Sequence, residues 1–155
     1  MLRNLFAHTA MVAVTAVVTS CSDRADRFPT APTVAAVPSL TPGAAPGSTP
    51  LALGETTAQL VTDTDPPCGI ALPAAPPEPC RQFAVAVTRR GLLRVRLTSP
   101  GPQELTLRVG TQIFWGTTIN ASATVESGST YGIAVGLHAG TGSQSFELTA
   151  TLDPF

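Results

Sequence analysis

The sequence predicts an all-β domain: a β-sandwich or jelly roll of seven or eight short antiparallel strands that follows a disordered Pro-rich linker. Apolar and polar residues alternate with a period of two after Leu51, which is typical of strands with one buried face. Gly, Pro and Ser separate these runs, as expected for turns. Because each such strand exposes one apolar face, a second sheet must cover the first.

Length and charge narrow the functional classes. A chain of 155 residues allows one ordinary domain with appendages and rules out a large multidomain enzyme. Its nine basic residues, all Arg, and ten acidic residues give a net charge of −1. A near-neutral balance argues against nucleic acid as a partner, because such proteins need a basic surface.

The first twenty residues have the pattern of an export signal. Met1–Asn4 carries one positive charge, and an apolar stretch of fourteen residues follows from Leu5 to Val18. That stretch is shorter than the roughly 20 residues that cross a bilayer, and it fits the apolar region of a signal peptide. We therefore expect residues 1–20 to be a signal peptide.

The residues Val18-Thr19-Ser20-Cys21 resemble the lipobox of bacterial lipoproteins. The resemblance implies cleavage before Cys21, which becomes the new N-terminus and carries a thioether-linked diacylglyceryl group, so that the membrane is a partner. Ser22 after this cysteine implies the outer membrane of a bacterial cell envelope. The alternative is an ordinary cleaved signal with an unmodified cysteine.

Residues 21–50 are predicted to form a disordered linker. Between Phe28 and Pro50 there are six prolines, no charged residue, and mostly Ala, Thr, Gly and Ser. Such a composition cannot bury enough apolar surface to offset the entropy of ordering. A spacer is favoured over a docking motif, since Pro29–Pro32 is an isolated PxxP pattern.

Residues 51–155 are assigned to the sandwich. The alternation is clearest near the C-terminus, where Phe146, Leu148, Ala150 and Leu152 alternate with polar residues. The predicted strands are Thr56–Val61, Gln82–Val87, Leu93–Leu97, Leu105–Val109, Gln112–Trp115, Ala121–Val125, Tyr131–Val135 and Phe146–Leu152.

The part from Arg81 to Leu152 resembles the bacterial pre-peptidase C-terminal domain, a small β-sandwich found on secreted proteins. Many members of that family carry paired aspartates where this chain has Gln103-Glu104, which argues against carrying over a calcium site. The matching segments are Arg90-Gly91, Leu92–Thr98, Glu104–Gly110, Ser129–Val135 and Phe146–Thr149.

Cys68 and Cys80 flank a Pro-rich loop. In an exported protein two unmodified cysteines are expected to form a disulfide. A metal centre would need two further ligands, and His138 is the one histidine that remains after processing. We therefore expect a structural bridge, no metal and no cofactor.

Aromatic and basic residues are the candidate ligand contacts. Phe114 and Trp115 are adjacent in a predicted strand and must face opposite ways, so one of them, with Tyr131 as a less favoured partner, could form a platform for a sugar ring.

Arg94, Arg96 and Arg108 lie on polar strand faces. If Val95 paired with Leu107, then Arg94 would face Arg108, which is unfavourable. We therefore favour the interpretation that Arg94 and Arg108 lie in different sheets over the alternative that an anion is bound between them.

The titratable residues point weakly to catalysis. His138 lies in a predicted loop, and the chain has no Gly-x-Ser-x-Gly nucleophile motif. Turns before proline explain Asp63 and Asp65.

The preferred hypothesis is a non-catalytic envelope lipoprotein displaying a module that binds a protein or a polysaccharide. The alternatives are a carbohydrate-binding module using Trp115, and a small accessory hydrolase using His138 with Asp63 or Asp65.

Overall fold

The computed structural model describes residues 36–68, 77–138 and 141–155. Within these ranges the chain forms strands, turns and loops without helices, which confirms the all-β prediction. No described segment forms a helix that could cross a membrane. The nine strands are β1 (Thr49–Pro50), β2 (Thr56–Thr62), β3 (Cys80–Val87), β4 (Gly91–Thr98), β5 (Leu105–Val109), β6 (Gln112–Gly116), β7 (Thr118–Val125), β8 (Ser129–Leu137) and β9 (Ser143–Pro154).

The strands form two sheets. One sheet has five strands in the order β1-β3-β8-β5-β6, and the other has four in the order β2-β9-β4-β7. All neighbouring pairs are antiparallel except β1 and β3, which are parallel. All eight predicted strands are present, and β1 is the additional one.

The alternating apolar residues of both sheets share one core. In β9, Phe146, Leu148 and Ala150 are buried while the intervening Glu147 is exposed. Phe146 meets Phe83 of the five-stranded sheet edge to face, with ring centroids 6.0 Å apart. Burial of an apolar side chain of this size contributes about 1.5–3 kcal/mol to the free energy of folding. The contact between Phe83 and Phe146 therefore stabilises the packing of the two sheets.

The end of the predicted linker packs against the sandwich. We call residues 38–50 the N-terminal strap. The Thr124 amide donates to the Pro38 carbonyl, and the Leu40 amide donates to the Thr124 carbonyl at 3.0 Å. The Leu40 side chain is 6% exposed and belongs to the core. The compact unit therefore runs from Ala35 to Phe155, not from Leu51, and residues 21–35 of the predicted linker lie outside the described residues.

Two glycines let the strap approach the sheet. The Gly43 amide donates to the Thr130 carbonyl at 2.7 Å. A Cβ atom on Gly132 would lie 3.0 Å from the Gly43 carbonyl oxygen, and a Cβ on Gly110 would overlap the Leu40 side chain. Gly110 also has a φ of +61°, in the left-handed region that favours glycine. The strap consequently crosses the outer face of the five-stranded sheet at close range.

Candidate functional site

The outer face of the five-stranded sheet carries a row of residues that spans four strands. Trp115 of β6 pairs with Thr106 of β5, Thr106 pairs with Gly136 of β8, and Gly136 pairs with Cys80 of β3. Neighbouring strands lie about 4.8 Å apart, so the row extends across most of the sheet. Because Gly136 has no side chain, nothing projects above the sheet at the middle of the row.

Phe114 and Trp115 face opposite ways, as the sequence predicts. Phe114 packs against the core, whereas Trp115 projects from the outer face and is 48% exposed. The indole lies beside the imidazole of His138, with ring centroids 6.1 Å apart and planes tilted by 55°. An exposed aromatic face next to a polar ring is a surface that can bind a ligand with both apolar and hydroxyl-bearing sides.

His138 belongs to a polar cluster on the same face. Its Nδ1 lies 3.1 Å from Oε1 of Glu78 and 3.5 Å from Oγ1 of Thr106. Thr106 is fully buried, and the Glu78 side chain is 8% exposed. The other carboxylate oxygen of Glu78, Oε2, is buried and has no hydrogen-bond partner among the described residues. These three side chains therefore form a polar cluster that is mostly shielded from solvent.

Backbone contacts and the disulfide position Glu78. Cys68 and Cys80 form the predicted bridge, with their Cα atoms 5.7 Å apart. Pro67 pairs with Pro79 beside it, and the Leu137 amide donates to the Pro79 carbonyl at 3.1 Å. The segment before β3 is thus fastened over the sheet, which places the Glu78 carboxylate against His138.

A cleft of about 300 Å³ lies beside the Trp115 row. We call it the strap cleft, because residues 41–48 form one wall and the sheet forms the floor. The next row of the sheet, Ile113–Arg108–Ala134–Gln82, supplies Arg108, Ala134 and Gln82 to that floor. Among the described residues lining the cleft, Arg108 carries the one formal charge.

The structure separates the three arginines. Arg94 and Arg96 lie on β4 in the four-stranded sheet, while Arg108 lies on β5 in the other sheet. Arg94 therefore does not face Arg108 but contacts the carboxylate of Asp153 at 2.6 Å. The favoured interpretation of their placement was the correct one, and the three residues do not form one site.

The other candidate residues have structural contacts. The Asp63 carboxylate accepts from the Gly142 amide at 2.7 Å, and Asp65 pairs with Arg81 at 2.9 Å. Tyr131 is buried, and its hydroxyl accepts from the Glu126 amide. The predicted lipidation site, Cys21, lies outside the described residues. In the described ranges, no three His, Cys, Asp or Glu side chains gather as a metal-binding group.

Sequence reasoning missed Glu78 and Thr106. Thr106 occupies a polar position of an alternating strand, and such positions usually face solvent. Glu78 is the one charged residue between Cys68 and Cys80, and an isolated acid inside a disulfide loop was the available signal. His138 contacts both residues, and a linear pattern does not show this contact.

Comparison with known proteins gives similarity in fold only. No family model and no curated protein sequence matches this chain. The pre-peptidase C-terminal domain of a collagenase from Bacillus anthracis is structurally similar, with a TM-score of 0.48, 10% identity, and coverage of 67% of this chain and 94% of that one. PliG from Salmonella Typhimurium, a periplasmic inhibitor of g-type lysozyme, has a TM-score of 0.38, 6% identity, and coverage of 68% and 100%. Both neighbours are β-domains.

Proposed function

We propose that this protein is a lipid-anchored envelope protein whose sandwich is a non-catalytic module for binding a polysaccharide. The observation that carries the proposal is the position of Trp115: a half-exposed indole on a sheet face, next to the His138–Glu78 pair. Most other large apolar side chains of the sandwich are buried.

The chemistry of a sugar ring matches this surface. One face of a pyranose presents C–H groups that pack on an indole, while its hydroxyls need hydrogen-bond partners at the edge. The Glu78 carboxylate holds His138 through Nδ1, which leaves the Nε2 edge of the imidazole to meet a hydroxyl. Such sites combine an apolar surface with a few fixed polar groups.

Several contacts support binding rather than catalysis. Asp63 and Asp65, the acids expected to assist His138 in a hydrolase, are bonded to Gly142 and Arg81. The hydroxyl near His138 is that of Thr106, which is fully buried and cannot meet a substrate as a nucleophile. We therefore infer that the cluster of His138, Glu78 and Thr106 holds the Trp115 indole in position.

The anchor is proposed from the sequence alone. Val18–Cys21 resembles a lipobox, and Ser22 favours the outer membrane. Several acyl chains on one residue would anchor the domain stably. Metabolic labelling with a fatty-acid probe tests this point: wild type should carry the label, and Cys21→Ala should not.

A glycan array tests the binding function. We expect wild type to bind a subset of polysaccharides and Trp115→Ala to lose that binding. Phe155→Ala is a matched control, because Phe155 is an exposed aromatic residue at the C-terminus, 76% accessible. Equal binding by wild type and Trp115→Ala, or binding to no glycan, would refute the proposal.

A further inference from the structure

We propose that two copies of this chain associate through the open edge of β2, with the two strands antiparallel and Ala58 of each copy at the two-fold axis. The proposal does not rest on ligand binding at Trp115. It depends on four observations: the lack of protection of this edge, the backbone groups that point to it, an exposed leucine beside it, and the charges at its end.

β2 is the least protected edge strand of the sandwich. The sheet edges are β1, β6, β2 and β7. Proteins protect such edges by covering them, by keeping them short, or by placing charges or proline in them. The strap covers β7 by bonding to both backbone groups of Thr124, β1 has two residues and ends at Pro50, and β6 has five residues. β2 has seven residues, Thr56–Thr62, without a charge or a proline.

The direction of the β2 backbone groups follows from the end of the strand. In an antiparallel pair, successive residues point their N–H and C=O groups alternately toward and away from the neighbouring strand. The amide of Asp63, one residue past β2, donates at 2.8 Å to the carbonyl of Gly142, one residue before β9. The odd-numbered residues of β2 therefore bond to β9, and the even-numbered residues point to the open edge.

Three of the four edge-facing residues are left for a partner. Thr62 is occupied, because its amide donates to the Asp65 carboxylate and its carbonyl accepts from the Asp65 amide. The strand begins at Thr56, so the remaining residues are Thr56, Ala58 and Leu60. We call these three residues the β2 edge.

The β2 edge is self-complementary under a two-fold axis. Its residues are symmetric about Ala58, so an antiparallel second copy pairs Ala58 with Ala58 and Thr56 with Leu60. Each of these pairs forms two backbone hydrogen bonds. In the described part of the chain one edge-facing group already has a partner, because the Leu60 carbonyl accepts from Nε of Arg81 at 3.2 Å. A carbonyl oxygen has two lone pairs and can therefore accept a second donor.

The Leu60 side chain adds apolar contact to this pairing. It is 46% exposed, although most large apolar side chains of the described residues are buried. In the two-fold register it lies opposite Thr56 of the second copy and diagonal to Ala58 of that copy, and such neighbours interact across antiparallel strands. Because the Ala58 side chain is small, Leu60 has room to pack over it and lose contact with water.

Charges at the end of the β2 edge favour the same arrangement. Glu55 precedes the edge, is exposed, and forms no ion pair with another described residue. It lies next to Thr56, which faces Leu60 of the second copy and thus the Arg81 bonded to that carbonyl. Arg81 pairs with Asp65 at 2.9 Å and its side chain is 45% exposed, so Glu55 joins an existing ion pair and displaces no partner. Opposite charges on neighbouring strands are favourable.

Sedimentation velocity of the full chain measures the association. All samples carry Cys21→Ala, which keeps acyl groups and a third thiol out of the measurement. Because the interface is small, we expect a monomer–dimer equilibrium that shifts with protein concentration. Ala58→Pro removes the central donor of each copy and should weaken dimerisation by about tenfold or more. Proline is tolerated on an edge strand when the N–H that it replaces faces solvent.

Asn120→Pro is the matched control. Asn120 is an exposed residue of β7, the other edge of the same sheet. Its amide faces away from β4, as does that of Thr124, which bonds to the strap. We expect Asn120→Pro to leave dimerisation unchanged. Glu55→Arg should weaken dimerisation because it repels Arg81 of the second copy, whereas the same change at the exposed Glu104, outside β2, should not.

Disulfide cross-linking tests the register. Directly opposed residues of a hydrogen-bonded antiparallel pair have Cα atoms about 5.5 Å apart, a separation that a disulfide can span. Mild oxidation of Ala58→Cys should therefore give a covalent dimer on a non-reducing gel. Asn120→Cys, treated in the same way, should remain a monomer.

Each outcome decides the proposal. The absence of a cross-link from Ala58→Cys would overturn it, and so would a dimer that Ala58→Pro leaves unchanged or equal cross-linking at positions 58 and 120. Capture of a different polypeptide by Ala58→Cys, with no covalent dimer, would mean that the edge takes an extended peptide of another protein, which also overturns pairing between copies. A urea unfolding curve verifies that each variant is folded. These measurements contain no glycan, so failure of this proposal is distinguishable from failure of the proposed function.

Discussion

The Nδ1 atom of His138 lies 3.1 Å from the Oε1 atom of Glu78, although 60 positions separate the two residues in the chain. Glu78 comes from the segment before β3, and His138 directly follows β8. Their contact joins two chain segments over the outer face of the five-stranded sheet and places the imidazole against Trp115. The proposed binding surface thus depends on a polar contact that is itself mostly buried.

Removing the carboxylate should loosen this surface. Glu78→Ala leaves the His138 imidazole without its partner, and we expect the free energy of unfolding to fall by about 1–3 kcal/mol. Trp115 is the one tryptophan of the chain, so its emission spectrum should shift as well. Urea unfolding monitored by fluorescence measures both effects. Glu147→Ala, at an exposed position of β9, is the control, and equal effects of the two substitutions would show that the contact is unimportant.

The disulfide should contribute substantially to stability. It closes a loop between residues 12 positions apart, and the chain-entropy model gives about 3 kcal/mol for a loop of this length. The Cys68→Ser, Cys80→Ser double variant should therefore unfold at lower urea concentration than the oxidised protein. The reduced wild type should match the double variant. Coinciding unfolding curves for all three proteins would refute a structural role for the bridge.

A side chain at position 132 should displace the N-terminal strap. A Cβ on Gly132 would already lie 3.0 Å from the Gly43 carbonyl oxygen, so the branched side chain of Gly132→Val has no room. We expect faster hydrogen exchange at the amides of Leu40 and Gly43, because their bonds to Thr124 and Thr130 would open.

Ala86→Val is the matched control for this substitution. Ala86 is an exposed position of β3, where a larger side chain meets solvent. We expect its exchange pattern in the strap to match wild type. Unchanged protection of the strap in Gly132→Val would show that the sheet does not need glycine at this crossing.

The strap should stabilise the sandwich. A chain that starts at Leu51 lacks the buried Leu40 side chain and the strand β1, whereas a chain that starts at Ala35 retains both. Leu→Ala substitutions in cores cost about 2–5 kcal/mol, and we expect Leu40→Ala to lie near the lower end because it packs at the margin. The measurement compares urea midpoints of the two truncated chains and Leu40→Ala. Equal midpoints would mean that residues 38–50 are only a tether.

The strands could be predicted from the sequence because the alternation of apolar and polar residues is a local pattern. β5 spans Leu105–Val109, the predicted bounds, since one residue in two faces a continuous core. β1 was not predicted because Thr49–Pro50 pairs in parallel over only two residues and leaves no alternation. The strap was assigned to the linker for a similar reason: its composition is that of a disordered segment, and its order comes from backbone bonds to distant strands.

The candidate site was only partly predictable. Trp115 was identified because adjacent residues of a strand must face opposite ways, and Arg108 because it lies on a polar face. Their proximity depends on the β5–β6 register, which the sequence does not specify. The pairing of Glu78 with His138 depends on the order of β3, β8 and β5 in the sheet, and strand order has no signature in the hydrophobic pattern.

The most direct measurement is a fluorescence titration of the single indole of Trp115 with a polysaccharide that binds wild type on the glycan array. We expect a saturable change in emission whose midpoint agrees with the affinity of the same polysaccharide measured by calorimetry. Trp115→Phe, followed by calorimetry, should keep most of the binding and Trp115→Ala should lose it. A glycan that binds while the indole emission stays constant, and that binds Trp115→Ala as tightly as wild type, would contradict the account.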